Sequence, residues 1–226
     1  MDGDIKLILV ILLSYLAGSI PTAVIISKKF FGFDIREKGS GNMGSTNAFR
    51  LLGWKWGVTV QIVDILKGVF AVVVIANLLG DGISFLSIDF FHDKTIVRFI
   101  AGMAAVCGHI WSMFVGFKGG KGINTTMGML ISIAPVDISI AIGIFLIAVL
   151  FSGYVSLGSI AGAIAFPSSL FLRYNIFGVD IPSYSIIIYF ALAIAILILY
   201  THRTNISRLL KGTENRFAKL QILRKK

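Results

Sequence analysis

Long apolar runs alternate with short polar stretches along this chain, and the runs have the length that crosses a bilayer, about 20 residues. They predict seven transmembrane helices, at about 5–27, 54–79, 96–115, 123–134, 137–151, 154–172 and 184–200. The first run contains Pro21. It is too long for a signal-peptide core and lacks a convincing small-residue cleavage site, so it reads as a retained helix. The stretch 123–151 is apolar throughout except at Pro135-Val136-Asp137, which reads as a helix stop followed by a new start, with Asp137 as a cap at the outer face. The expected fold is all-α: one polytopic, membrane-embedded domain over residues 1–226, with no room for a separate soluble domain.

Composition agrees with this pattern. The chain is 56% hydrophobic and 14% charged, against about 25% charged in a soluble domain. Its net charge of +10 would raise nucleic acid as a partner of a soluble protein. Here the charge follows the positive-inside rule instead, and no nucleic acid is expected. The loop 28–53, the loop 116–122 and the tail after Tyr200 hold 15 of the 21 Lys and Arg residues. Seven spans with the N-terminus outside put all three segments, and the C-terminus, on the cytoplasmic side. The acidic loop 80–95, with Asp81, Asp89 and Asp93, then lies outside together with His92. The single cysteine, Cys107, excludes a disulfide framework and a cysteine-based metal cluster within the chain.

The chemistry gathers in the polar stretches. Residues 39–50 read GSGNMGSTNAFR, a loop rich in Gly, Ser, Asn and Thr that closes on an Arg. Such a loop exposes backbone N–H groups to an anion. Gly39-x-Gly41-x-x-Gly44 matches the dinucleotide fingerprint, but no strand precedes it and Asp64, about 20 residues on, falls inside an apolar helix. The second loop, Gly116-Phe117-Lys118-Gly119-Gly120-Lys121-Gly122, does not fit the P-loop spacing. What remains is glycine amides beside cations, the physics of phosphate binding. Arg50, Lys118, Lys121, Arg203 and Arg208 supply charge; Ser40, Asn42, Thr46, Asn47 and Asn205 supply neutral hydrogen bonds. Asp34 and Glu37 precede the glycines, and no pair of carboxylates follows them, so a metal is not expected. Each loop alone also reads as a solvated turn carrying positive-inside charge. His109, near the end of the third span, is a candidate base or a prop for the second loop. Asp64 and Lys67 share a helical face inside the second span, where ionisable groups are costly; they read as an internal salt bridge or as a substrate contact.

Three stretches together resemble the bacterial acyl-phosphate:glycerol-3-phosphate acyltransferases. They are Gly39-Ser40-Gly41-Asn42-x-Gly44-x-Thr46-Asn47-x-x-Arg50; Gly108-His109 with Phe117-Lys118-Gly119-Gly120-Lys121-Gly122; and His202-Arg203-x-Asn205-Ile206-x-Arg208-Leu209 with Gly212-Thr213-Glu214. Asp64-x-x-Lys67-Gly68 is similar to a further feature of that family, and the likeness runs from about residue 14 to 216. Met43, Ser45 and Trp111-Ser112 depart from the residues usual there. The resemblance implies transfer of an acyl group from acyl-phosphate to the 1-hydroxyl of sn-glycerol 3-phosphate, the first step of phospholipid biosynthesis. Lysophosphatidic acid and phosphate are the products, and no cofactor takes part. It implies a cell (inner) membrane protein, monomeric, with its site facing the cytoplasm and the soluble enzyme that makes acyl-phosphate as a partner. The implied catalytic residues are Ser40, His109, Lys121 and Asn205. Gly41, Asn42, Thr46, Asn47, Arg50, Lys118, Gly119, Gly120, Arg203 and Arg208 hold phosphate. The proton acceptor is either His109 or the donor's own phosphate. A transporter for a phosphorylated metabolite is the rival reading; it wants internal repeats and a site at the midplane.

Overall fold

A computed structural model describes residues 3–81, 83 and 94–216. His92, Asp89, Asp93 and the basic tail beyond residue 216 lie outside the described residues. Every regular element among the described residues is helical. Among the described residues six helical segments are long and apolar enough to cross a membrane: Gly3–Phe31, Trp54–Leu79, Lys94–Val115, Pro135–Ser152, Val155–Ile176 and Tyr184–Thr201. The expected helix near 123–134 is present as Ile123–Ile133, 11 residues long. At about 1.5 Å per residue it covers roughly half of a hydrocarbon core. The chain forms two compact units, Met1–Ile133 and Ala134–Lys226.

In the first unit the opening run is two helices, α1 (Gly3–Ser19) and α2 (Thr22–Phe31). Pro21 has no N–H to give and its ring collides with the preceding turn, so the helix breaks there. After α3 (Ser45–Leu51) come α4 (Trp54–Val69), a π-helical segment Phe70–Ile75 and α5 (Ala76–Leu79), which together form the second span. α6 (Lys94–Ile110) and α7 (Ile123–Ile133) complete the unit. Small residues let these helices approach closely, as expected where no hydrophobic difference from lipid drives association. A Cβ on Gly18 of α1 would stand 2.0 Å from the Ala105 carbonyl oxygen of α6, and one on Gly128 of α7 would stand 1.9 Å from the Ile65 carbonyl oxygen of α4.

The second unit contains α8 (Pro135–Ser152), α9 (Val155–Phe171), α10 (Tyr184–Thr201) and α11 (Arg203–Leu210). The predicted break at Pro135 is present, but Pro135 begins α8 and does not merely end the helix before it. A proline is well placed in a first helical turn, where its missing N–H is not needed. Asp137 is not the cap expected of it. Ala134 holds that position, and the buried Asp137 carboxylate turns to α9, accepting from Ser169 Oγ at 2.7 Å and from Arg173 Nη1 at 2.6 Å. Arg173, just beyond the expected span 154–172, lies in a π-helical continuation of α9, Leu172–Ile176.

Candidate active site

The 39–50 loop is built around one side chain, Asn47, which is 1% exposed. Its Oδ1 accepts the backbone N–H of Ser40 at 3.1 Å. Its Nδ2 donates to the carbonyls of Ile35 and Lys38, both at 3.1 Å, and of Asn42 at 2.9 Å. One buried amide thus replaces the backbone pairing that an irregular loop lacks. Gly39 is needed beside it: its φ is +63°, and a Cβ there would stand 2.3 Å from Asn47 Oδ1. Asn42 is also used locally, its Oδ1 accepting the Gly44 N–H at 2.8 Å. Both asparagines were expected to hold phosphate; in this structure their carbonyl oxygens hold the loop. Ser40 is half-buried, and among the described residues its hydroxyl makes no hydrogen bond. Thr46 and Arg50 lie on α3, Arg50 in its last turn.

The start of the loop is clamped as well. Ser27 Oγ of α2 accepts the Ile35 N–H at 3.2 Å. The Arg36 guanidinium forks the buried Asp34 carboxylate at 3.0 and 2.7 Å and donates to the Val115 carbonyl at 2.8 Å. The Arg36 hydrogen bond, above all, holds the Asp34 carboxyl well below the usual carboxylate range, against the opposing effect of burial. Arg36 therefore reaches from the first loop to the approach of the second.

The second loop folds back onto the end of α6. Gly119 N–H donates to the Ile110 carbonyl at 3.0 Å and Gly120 N–H to the His109 carbonyl at 2.9 Å. His109 is 2% exposed and lies directly under this loop. Lys118 is exposed and Lys121 half-buried on either side of the two glycines. Asn124, at the start of α7, donates to Ser45 Oγ at 2.9 Å and ties the second loop to the first helical turn after the first loop. Ser45 had registered only as a departure from the residue usual in the resembled family.

In the second unit the third stretch centres on Glu214, to which no role had been given. The Asn205 amide and Ser156 Oγ donate to its Oε1 at 2.6 and 3.0 Å, and Arg208 Nε to its Oε2 at 2.6 Å. Burial pushes this carboxyl up, but the bonds from Arg208, Asn205 and Ser156 outweigh it and leave it below its ordinary value. Arg208, expected as a phosphate ligand, is thus paired within the protein. His202 is buried, and its Nδ1 donates to the Ile198 carbonyl at 2.9 Å. Arg203 is exposed, its guanidinium 4.3 Å from the centre of the Tyr200 ring. Two signals in the sequence marked Glu214: its place in the Gly212-Thr213-Glu214 part of the third stretch, and an acid inside a basic tail. Among the described residues no three of His, Cys, Asp and Glu converge into a set that could hold a metal ion.

Comparison with known proteins places this geometry. The family model for glycerol-3-phosphate acyltransferase matches residues 8–212. Glycerol-3-phosphate acyltransferases of Chlorobium phaeobacteroides and Chlorobium limicola are 47% and 46% identical to the chain, each over 94% of this chain and 97% of the relative. In three dimensions the chain is similar to the crystal structure of PlsY (YgiH), an integral membrane glycerol 3-phosphate acyltransferase. For its glycerol 3-phosphate form the TM-score is 0.79 at 35% identity, covering 97% of this chain and 99% of that one. For its lysophosphatidic acid form the TM-score is 0.78 at 34% identity, covering 96% and 98%. The chain therefore belongs to the glycerol-3-phosphate acyltransferase family and is a multi-pass membrane enzyme.

Proposed function

We propose that the enzyme takes its acyl group from acyl-phosphate and delivers it to the 1-hydroxyl of sn-glycerol 3-phosphate, releasing lysophosphatidic acid and phosphate. The observation that carries this reading is the pair of glycine loops, cross-braced by Arg36 to Val115 and by Asn124 to Ser45, with Ser40, Arg50, Lys118 and Lys121 on them. Two substrates that each bear a phosphate call for two such loops. Acyl-phosphate is a mixed anhydride and is already activated, so no nucleophilic serine or cysteine is required.

In the reaction the glycerol oxygen bonds to the acyl carbonyl carbon. The bond from that carbon to the phosphate oxygen breaks, and the phosphate departs with its electron pair. The hydroxyl proton passes to the departing phosphate, because His109 lies buried beneath Gly120, where it acts as a prop and not as the base. Ser40 positions the attacking hydroxyl. Arg50 and Lys121 neutralise charge developing on the leaving phosphate, and Asn205 contributes a neutral donor. Lys118, Arg203 and Thr46 contact phosphate more peripherally, and Gly41, Gly119 and Gly120, whose N–H groups donate to the Lys38, Ile110 and His109 carbonyls, let it approach the backbone closely. Asn42, Asn47 and Arg208 act by holding the backbone.

The chain crosses the inner membrane seven times, with Ile123–Ile133 as the short crossing and the N-terminus outside. That orientation puts the three basic segments on the cytoplasmic face. The enzyme works as a monomer, supplied by the soluble enzyme that makes acyl-phosphate. The test is initial-rate kinetics on Ser40→Ala and Arg50→Ala. A fall in kcat/KM of about 10²-fold or more for each, with membrane insertion unchanged, is expected. Near wild-type rates for both would remove these residues from the reaction.

A further inference from the structure

The first unit contains a buried ionic cluster that the reaction as written does not use. Asp64 and Lys67 on α4 are 1% and 6% exposed within a membrane-spanning helix, and Lys67 Nζ lies 2.6 Å from Asp64 Oδ1. Buried ion pairs are poor stabilisers compared with apolar packing, and charge inside a membrane segment generally marks function.

The pair's remaining bonds go to the break at Pro21. Lys67 Nζ donates to the Ile20 carbonyl at 2.5 Å, on the α1 side of the break. Thr22 Oγ1, on the α2 side, donates to Asp64 Oδ1 at 3.2 Å. Ser112 Oγ donates to the neighbouring Ser19 carbonyl at 2.5 Å. The two ends of the broken helix are thus held by the two members of one ion pair. α2 in turn carries the first loop through Ser27 and Ile35.

A second connection leaves the same carboxylate. His109 Nδ1 stands 3.9 Å from Asp64 Oδ1 and is buried without a hydrogen-bond partner among the described residues. A carboxylate can only accept, so it favours the tautomer whose Nδ1–H faces it. The other ring nitrogen lies against Gly120, where a Cβ would stand 2.1 Å from Nε2.

We propose that Asp64, Lys67 and Thr22 are positioning residues for catalysis: one buried cluster sets the first glycine loop through the α1–α2 break and the second through the ring of His109. This inference rests on the proposed reaction only for its readout. A cluster serving stability alone would, when weakened, reduce the amount of active enzyme, lowering kcat and leaving KM unchanged. A positioning cluster would raise KM for glycerol 3-phosphate in the protein that remains folded.

The experiment compares purified wild type, Thr22→Val, Thr22→Ser and Asp64→Asn in detergent, by melting temperature and by kinetics with acyl-phosphate and glycerol 3-phosphate. Thr22→Val keeps the shape and loses the hydroxyl; Asp64→Asn keeps an acceptor and loses the charge. The expected result is a rise in KM of at least about fivefold for both, with Thr22→Ser restoring the wild-type KM. Thr22→Val should melt as wild type does. Asp64→Asn should melt lower, because Lys67 stays buried without its counter-charge, and its KM is measured on the folded fraction. Unchanged KM in both Thr22→Val and Asp64→Asn, whatever happens to kcat, overturns the proposal. A wild type that makes no lysophosphatidic acid is a different failure and counts against the reaction.

Discussion

Gly120 rests on the imidazole of His109. A Cβ at this position would stand 2.1 Å from Nε2, while the Gly120 N–H donates to the His109 carbonyl at 2.9 Å. Backbone and ring of one buried residue thus fix the midpoint of the second loop. Gly120→Ala must displace either the ring or the loop, and a loop displaced by about 1 Å costs on the order of 10²-fold in rate. A loss of that size in kcat/KM for glycerol 3-phosphate is expected from initial rates. Gly143→Ala on α8, whose Cβ would meet nothing within 4 Å, is the matched control and should leave the rate unchanged.

Asn47 offers a second test. Asn47→Ala removes the shared partner of three carbonyls, that of Ile35 buried and those of Lys38 and Asn42 part-buried, and of the Ser40 N–H, at about 1–3 kcal/mol for a buried group left unsatisfied. The loop should open, with activity reduced by more than about 10²-fold and new tryptic cleavage at the exposed Lys38 next to Gly39. A variant that resists trypsin and turns over normally would show that Asn47 is not what holds the loop.

Asp34 and Glu214 predict a pH dependence of stability. Both carboxyls are held below their ordinary values in the folded protein. The unfolded state therefore binds protons first as pH falls, and stability falls with it. Their contribution is complete above the ordinary carboxylate range, about pH 4, and is lost as pH drops through the lowered folded-state values. Thermal melts from about pH 7 to about pH 3 should show this loss, and Glu214→Gln should flatten it.

The Asp137–Arg173 pair is a contrasting case, because its bonds join α8 to α9 within the second unit. Asp137→Ala leaves Arg173 partly buried and unpaired, and should destabilise by about 3 kcal/mol. Arg173→Met added to it should recover much of that loss. Enzyme that remains folded should keep the wild-type KM, unlike Asp64→Asn, and melting curves together with kinetics separate the two cases.

The helices and the interruption at Pro135 were legible in the sequence, because apolar periodicity and proline chemistry are local; the break at Pro21 was not, and 5–27 read as one helix. The glycine loops were legible as irregular turns for the same reason. What could not be read was the partner each side chain takes within the fold. The Asn47 amide bonds the backbone of its own loop, and Arg208 Nε bonds Glu214. The bonds from Arg36 to Val115, from Asn124 to Ser45 and from Lys67 to Ile20 join residues separated by 79, 79 and 47 positions, and they exist only once the helices have packed. Asp137 failed as a cap because Pro135 already occupies the first turn and α9 brings Ser169 and Arg173 within reach.

The most direct measurement is product formation by the purified enzyme given glycerol 3-phosphate and acyl-phosphate as the sole donor, with lysophosphatidic acid and inorganic phosphate quantified together. Wild type is expected to form the two products in equal amounts, and Lys121→Ala to lose both. Lysophosphatidic acid formed only from a thioester donor, or phosphate-ester flux across liposomes without any acyl transfer, would contradict the proposed reaction.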